Sequence, residues 1–434
     1  MKNFSWLLPL FVIIFFSCND KKAVLPDAAE VLHKNEKNLT DLIIYDIFSP
    51  PVAARIYSYT SLAAHEAIRH MDEKEPSIVE KLNGFSKMPE PSKDKKYNYV
   101  LAASVAFYSA MRDVTFSKDT ITKFEEGTYA PYKAGLNEEE YNNSVEFGKA
   151  IAAAVMERAK KDNYKETRSL EKYFGSKDDG KWQPTSIDYL DGTEPYWTRI
   201  LSFALDSSNQ FLPGPPPAYS LDTNSVFYKM NKAVYDVGKN LTKEQRDIAY
   251  FWDDNPFVSV HKGHMMFNTK KQTPGGHWMG ITAIACRKTN TSAVKAARAY
   301  SLVAIGLLDG FISCWDTKYR YSYIRPITFI NTHIDKNWEP YLQTPPFPEY
   351  TSGHSTISAS AATVLTGLFG DNFAFHDDAD KEYINAEKDF PSFMAASREA
   401  SVSRFYGGIH YMISLDTGLE VGQKIGAYVL QKAN

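Results

Sequence analysis

Apolar side chains in this chain recur at the spacing of a helix face. Leu42, Ile43, Ile44 and Ile47 precede Pro50-Pro51, and the pattern resumes through Ala53, Ala54, Ile56, Tyr57, Leu62, Ala63, Ala64 and Ile68 at steps of one to four. Such steps gather side chains on one side of a 3.6-residue turn. Residues 99–111, 138–159, 292–308 and 357–369 read the same way, and alanine and other good helix formers are frequent in them. Alternating β-type runs are scarce, and no fixed repeat is visible. Residues 173–223 break the pattern with Gly, Pro, Trp and Tyr, including Pro213-Gly214-Pro215-Pro216-Pro217, and read as irregular surface structure or a lid. The expectation is an all-α fold, a helical bundle in one globular unit with an irregular middle segment.

The amino terminus follows a different rule. Lys2 supplies a positive start, residues 6–16 form a short apolar run, and Ser17-Cys18 closes it before Asn19-Asp20-Lys21-Lys22. The run is too short to span a bilayer stably. It reads as a bacterial secretion signal over 1–17. A small residue before cysteine resembles a lipobox, which implies cleavage before Cys18 and lipid on its thiol. The alternative is a plain membrane anchor with an incidental cysteine. Residues 18–38 are charged and read as a tether, leaving 39–434 as the folded domain, with no later segment expected to cross a membrane.

Composition narrows the choices. Apolar residues make up 44% of 434, enough for a large core and against intrinsic disorder. The formal charge of −3 lacks the basic excess that a nucleic-acid partner requires, so any anion site must be a local cluster. Three cysteines, Cys18, Cys286 and Cys314, are too few for a disulfide framework, and the last two read as buried thiols. The aromatic content of 14% fits core packing, or a glycan-gripping surface.

Three segments carry chemistry. In Trp315-Asp316-Thr317-Lys318-Tyr319-Arg320-Tyr321-Ser322-Tyr323-Ile324-Arg325-Pro326, Lys318 and Arg325 stand seven residues apart, two turns of a helix, and share a face if the helix continues. In Pro345-Pro346-Phe347-Pro348-Glu349-Tyr350-Thr351-Ser352-Gly353-His354, a stiff loop runs into a helix for which Ser352 is the expected N-cap. Free N–H groups and the helix dipole there suit an anion. In Ser403-Arg404-Phe405-Tyr406-Gly407-Gly408-Ile409-His410, Arg404 and His410 are about two turns apart unless the glycines loosen the helix. Taken singly, these are a solvated basic face, a capped helix with an exposed histidine, and a helix end with a core histidine.

Together and in this order, the three segments resemble the signature of the type 2 phosphatidic acid phosphatase and vanadium haloperoxidase superfamily. The resemblance is tight over 315–410. Trp315 before Lys318, the Pro-Pro-Phe-Pro run, Phe251-Trp252-Asp253-Asp254 and Thr273-Pro274-Gly275-Gly276-His277-Trp278 look more like the bacterial haloperoxidase branch, whose exported members include iodide-oxidising enzymes. The resemblance implies a helical bundle of the haloperoxidase/acid phosphatase type with its active site in 315–416. It implies vanadate as cofactor, with phosphate able to occupy the same place. Lys318, Arg325, Ser352, Gly353, His354, Arg404 and His410 would surround the oxyanion, with His410 as the ligand of the vanadium and His354 as acid or base. Trp315 and Phe347 would flank the halide. The implied reaction oxidises halide, iodide most readily, with hydrogen peroxide to hypohalous acid.

One departure stands out. The superfamily's aspartate four residues after the apical histidine is Ser414 here, so His410 is expected to lack a charged partner and to be less basic and less firmly held. Ser414→Asp is then expected to raise phosphatase turnover. The rival readings are an acid phosphatase using His410 as nucleophile on a phosphate ester, a surface lipoprotein that binds glycans, and a zinc site from His261, His264 and His277 with Asp253 or Asp254. For that last group, packing or a supporting role near the oxyanion is the plainer account. Membrane contact is expected through the lipid alone, and the oligomeric state stays open.

Overall fold

A computed structural model describes residues 24–256, 258–262, 265–268 and 271–433, with only the backbone of 259–262 and 265–268 described. The leader 1–17, Cys18, residues 19–23 of the expected tether, and His264 lie outside the described residues.

Fifteen helices follow in chain order among the described residues. The first group is α1 (Ala28–Asp46), α2 (Pro50–Ile68), α3 (Tyr99–Val114), α4 (Lys118–Gly135), α5 (Glu138–Ala159) and the single turn α6 (Tyr164–Thr167). After the irregular middle come α7 (Val226–Lys239), α8 (Lys243–Phe251), α9 (Pro274–Lys288), α10 (Ala293–Tyr321), α11 (Pro326–His333) and α12 (Gly353–Phe369). The chain ends with α13 (Lys381–Ile384), α14 (Phe393–Tyr406) and α15 (Met412–Ala433). The described strands form two antiparallel hairpins, β1 (Ser259–Lys262) with β2 (Met265–Asn268) and β3 (Phe375–Asp377) with β4 (Lys388–Phe390). The fold is all-α, as the periodicity predicts.

The folded domain begins earlier than expected. Helix α1 begins at Ala28, capped by the Asp27 carboxylate, which accepts from the Glu30 N–H at 2.9 Å. It buries Val31, Leu32, His33, Asn35 and Glu36. Charged residues alternate with these inward positions, which is why 28–38 look solvated when read by composition.

Helix α10 is the axis of the bundle. By length and composition it could cross a bilayer, contrary to the expectation for this part of the chain, but 94% of its most apolar window is buried inside the protein. Its sheath is α2 on one side and α12 on the other. Gly306 meets Ser360 of α12, whose hydroxyl donates to the Gly306 carbonyl at 2.9 Å.

Helix α12 is held on its other face by α15. A Cβ on Gly422 would lie 2.1 Å from the Thr356 carbonyl oxygen, and one on Gly426 2.5 Å from that of Ser360. Glycine at that four-residue spacing lets the two backbones touch, and this contact fixes the start of α12. The middle segment is irregular from 168 to 225 apart from one 3-10 turn at Trp197–Arg199. Cys286 and Cys314 are buried free thiols.

Candidate active site

The expected residues converge, though not by the helical spacing suggested above. Helix α10 carries Trp315 and Lys318 and stops at Ser322, which is left-handed with φ 47°. Arg325 is the N-cap of α11. Lys318 and Arg325 therefore meet across a sharp turn and do not share one helix face. Likewise α14 ends at Tyr406, and Gly408, at φ +77°, turns the chain so that His410 faces back from a loop. Ser352 caps α12 as expected, its Oγ accepting from the Ser355 N–H at 3.3 Å.

Backbone carbonyls hold the three cations. Lys318 Nζ donates to the carbonyls of Pro348 at 2.8 Å and Glu349 at 2.9 Å. Arg325 donates from Nε to the Phe347 carbonyl at 2.9 Å and from Nη1 to that of Ile409 at 2.8 Å. Arg404 Nη2 donates to the Trp252 carbonyl at 2.5 Å, and its Nε to Ser403 Oγ at 3.0 Å. All three are buried. Burial pushes Lys318 down to about 7 and Arg325 down to about 10, and it lowers Arg404 too. Carbonyl dipoles fix the heads without neutralising them, so the three side chains stay available to a bound anion.

His410 is oriented by a residue that the sequence did not single out. Its Nδ1 lies 2.7 Å from Glu349 Oε1, so the ring donates Nδ1–H to the carboxylate. Its Nε2 then carries the lone pair and accepts from Arg325 Nη1 at 3.2 Å. Glu349 also accepts from the Tyr411 N–H at 3.0 Å and from Ser414 Oγ at 2.6 Å. The expectation that His410 lacks a charged partner is thereby corrected. Ser414 does not accept from the imidazole; it donates to the carboxylate that does. Burial raises Glu349 to about 7, opposed by those hydrogen bonds and by Arg325 and Lys318. Burial, with Arg325, Lys318 and Arg404 close by, keeps His410 well below its ordinary value, so Nε2 stays unprotonated.

His354 opens on the same cavity. One ring nitrogen is hydrogen-bonded to the Trp252 backbone, while Nε2 is buried with no partner. Burial and then the Arg404 charge hold it well below its ordinary value. Gly353, His354, Arg404 and His410 line this cavity together with Trp315 and Phe347, while Lys318, Arg325 and Ser352 stand behind the lining. Trp315 and Phe347 pack at 5.0 Å between ring centres, and Phe347 lies 5.0 Å from both the Lys318 and Arg325 cations. Trp315 Nε1 donates to the Thr193 carbonyl, which anchors the irregular segment to this wall.

A crystal structure of a bacterial vanadium-dependent iodoperoxidase matches this chain with a TM-score of 0.90 and 44% identity, over 95% of this chain and 98% of that one. The chain belongs to the vanadium-dependent haloperoxidases. This family consists of oxidoreductases, and its second helical-bundle domain in the chloroperoxidases, the VCPO second helical-bundle domain, is matched by residues 298–434. Holo and apo forms of a bacterial vanadium-dependent chloroperoxidase share the fold at TM-scores of 0.68 and 0.65, with 15% and 14% identity. They are matched over 95% and 89% of this chain and 98% and 94% of theirs. No curated protein matches.

The residues suit the family's vanadate. The set offers three cations, a helix N-terminus, one unprotonated imidazole nitrogen and a second, partnerless one at His354. Besides Glu349, the sequence reading missed the connection at Trp252, whose carbonyl accepts from Arg404 and whose backbone also holds His354. Of the zinc grouping expected from His261, His264 and His277, the first two side chains lie outside the described residues. His277 itself is surrounded by carboxylates and stacks on Trp252 at 4.6 Å.

Proposed function

We propose that this haloperoxidase oxidises iodide with hydrogen peroxide, using vanadate held at His410, and that residues 1–18 export it and anchor it to the cell envelope through lipidated Cys18. The observation that carries the reading is the fixed tautomer of His410. With Nδ1–H donated to Glu349, Nε2 presents its lone pair beside three cationic side chains. That is what an apical ligand for an oxyanion-bound metal requires. Lys318, Arg325, Arg404, Ser352 and the Gly353 N–H would hold the equatorial oxygens. Bound vanadate supplies the Lewis acidity that makes peroxide reactive towards halide.

The chain's own residues handle protons and water. His354 Nε2, unprotonated and partnerless, takes the proton of incoming peroxide and later returns it. The reaction consumes peroxide, halide and one proton, and forms hypohalous acid and water. Trp315 and Phe347 strip water from the halide. Iodide gives up its hydration most easily and oxidises most readily, so it is the least demanding substrate for such an apolar wall. The 44% identity to an iodoperoxidase points the same way.

A second reading has support from Glu349. The acid-phosphatase alternative was weakened in the sequence by Ser414, because a nucleophilic histidine needs a carboxylate behind it. Glu349 provides one, so vanadate-free protein should hydrolyse a chromogenic phosphate ester slowly, with His410 Nε2 as nucleophile. The deciding experiment treats purified protein with orthovanadate, peroxide and iodide, bromide or chloride, and in parallel with the phosphate ester. Iodide oxidation that appears with vanadate while ester hydrolysis disappears supports the proposal. Oxidation of bromide as efficient as that of iodide would remove the halide assignment.

A further inference from the structure

Beside the oxyanion cavity lies a second concentration of buried charge, centred on His277. This ring is fully buried, and its Nε2 sits 3.0 Å from Asp377 Oδ2. Its Nδ1 faces two more carboxylate oxygens, Asp380 Oδ2 at 3.1 Å and Asp254 Oδ2 at 3.3 Å. All three aspartates are buried. Asp253, next in sequence, is already paired with Lys271 at 2.7 Å.

With all three carboxylates ionised, hydrogen bonding does not satisfy this arrangement. If Nε2–H is donated to Asp377, Nδ1 holds a lone pair that points at two acceptors. If both nitrogens are protonated, the single Nδ1–H serves only one of its two facing oxygens. Asp380 Oδ2 is in fact buried without a hydrogen-bond partner, although its other oxygen accepts from the Gln272 amide. Fully ionised, three carboxylates around one imidazolium sum to −2, and burial raises Asp380 to about 8.

We propose that His277 Nδ1, Asp254 Oδ2 and Asp380 Oδ2 bind a divalent transition-metal cation, zinc in the first instance, separate from the oxyanion. Zinc bonds of about 2.0–2.2 Å place neighbouring ligand atoms of a tetrahedron about 3.3–3.6 Å apart. The two distances at Nδ1 are 3.1 and 3.3 Å, and the three ligand atoms lie within 4.8 Å of one another. The buried, partnerless Asp380 Oδ2 is the second observation that points to a metal, and the Asp377 contact fits it. A metal-binding imidazole characteristically donates its far N–H to a carboxylate, which turns the lone pair towards the ion. An imidazole among the ligands favours zinc, iron, nickel or copper over calcium or magnesium.

The cation would tie together three chain segments. Asp254 follows α8, His277 lies in the first turns of α9, and Asp380 precedes α13. Asp254 also lines the oxyanion cavity, and Trp252, two residues earlier, holds Arg404 and His354 through its backbone. The ion is structural in this reading, a brace behind the base and one of the cations.

The test uses the full mature protein, stripped with a chelator and kept free of vanadate. Zinc chloride is titrated in by calorimetry, bound metal is counted by elemental analysis, and melting is followed by circular dichroism. One equivalent of zinc, a raised Tm, loss of that equivalent in Asp380→Asn, and an affinity about 10–100-fold weaker in Asp377→Asn are expected. Folded wild-type protein that takes up neither zinc nor nickel would overturn the proposal in favour of a proton shared between Asp254 and Asp380. An equivalent that survives both Asp380→Asn and His277→Asn would place the metal elsewhere and overturn it too. The wild-type titration decides even if a variant fails to fold.

Discussion

Glu349 accepts a hydrogen bond from His410 at 2.7 Å across 61 residues of chain. Its other oxygen accepts from Ser414. The carboxylate that orients His410 thus comes from the loop before α12 and not from the turn after the histidine. Glu349→Gln should lower vanadate affinity by about 10–100-fold, the usual effect of losing such a partner. Titrating the apoprotein with orthovanadate checks it, and an unchanged affinity would mean that the tautomer is fixed by other contacts.

Ser414→Asp now carries the opposite expectation from the one drawn from sequence alone. Ser414 and Glu349 are both fully buried. A second carboxylate would face the first with no room for water. Loss of about 3–5 kcal/mol of stability is expected, the range for an uncompensated buried charge, with no rise in phosphate-ester turnover. Ser414→Ala should cost about 1–3 kcal/mol by leaving Glu349 Oε2 without its donor. Urea unfolding and a phosphatase assay read both.

Phe347 lies between Trp315 and the cations Lys318 and Arg325. Phe347→Ala should raise KM for iodide several-fold and weaken vanadate binding less, because Lys318 and Arg325 keep their hydrogen bonds to backbone carbonyls when the ring is lost. Saturation kinetics in iodide measure this. Equal effects on iodide and on vanadate would show that the ring acts by holding the cations and not as the halide wall.

Glu36 gives a pH prediction away from the site. Burial raises its carboxyl from 4.5 to about 8, and its Oε2 has no partner. An acid whose folded pKa is raised binds its proton more tightly when folded, so its contribution is complete below about pH 4.5 and is lost as pH rises towards 8. Glu36→Gln should flatten the fall in stability between those values. It should also make the protein more stable at pH 9 by up to about 5 kcal/mol, because a tenfold change in proton affinity corresponds to about 1.4 kcal/mol. Urea unfolding at pH 5, 7 and 9 tests the sign.

Much of this protein was legible along the chain. Apolar spacing marked the helices, because a helix that packs on a core must repeat its buried positions every three or four residues. Ser352 was readable as a cap because capping is local. The order of Lys318, Arg325, Ser352-Gly353-His354, Arg404 and His410 determined which side chains to look for together and which family the chain resembles. Only the tertiary structure decided how they meet. Ser322 and Gly408 end the helices that spacing alone would have continued, and Trp252 and Glu349 hold Arg404, His354 and His410 from distant segments. Burial explains the difference. A lone glutamate in a proline-rich loop looks like any surface acid until folding removes its water and leaves His410 and Ser414 as its partners. The aspartates around His277 are similarly inconspicuous in sequence, because their charge becomes costly only where three of them are enclosed together.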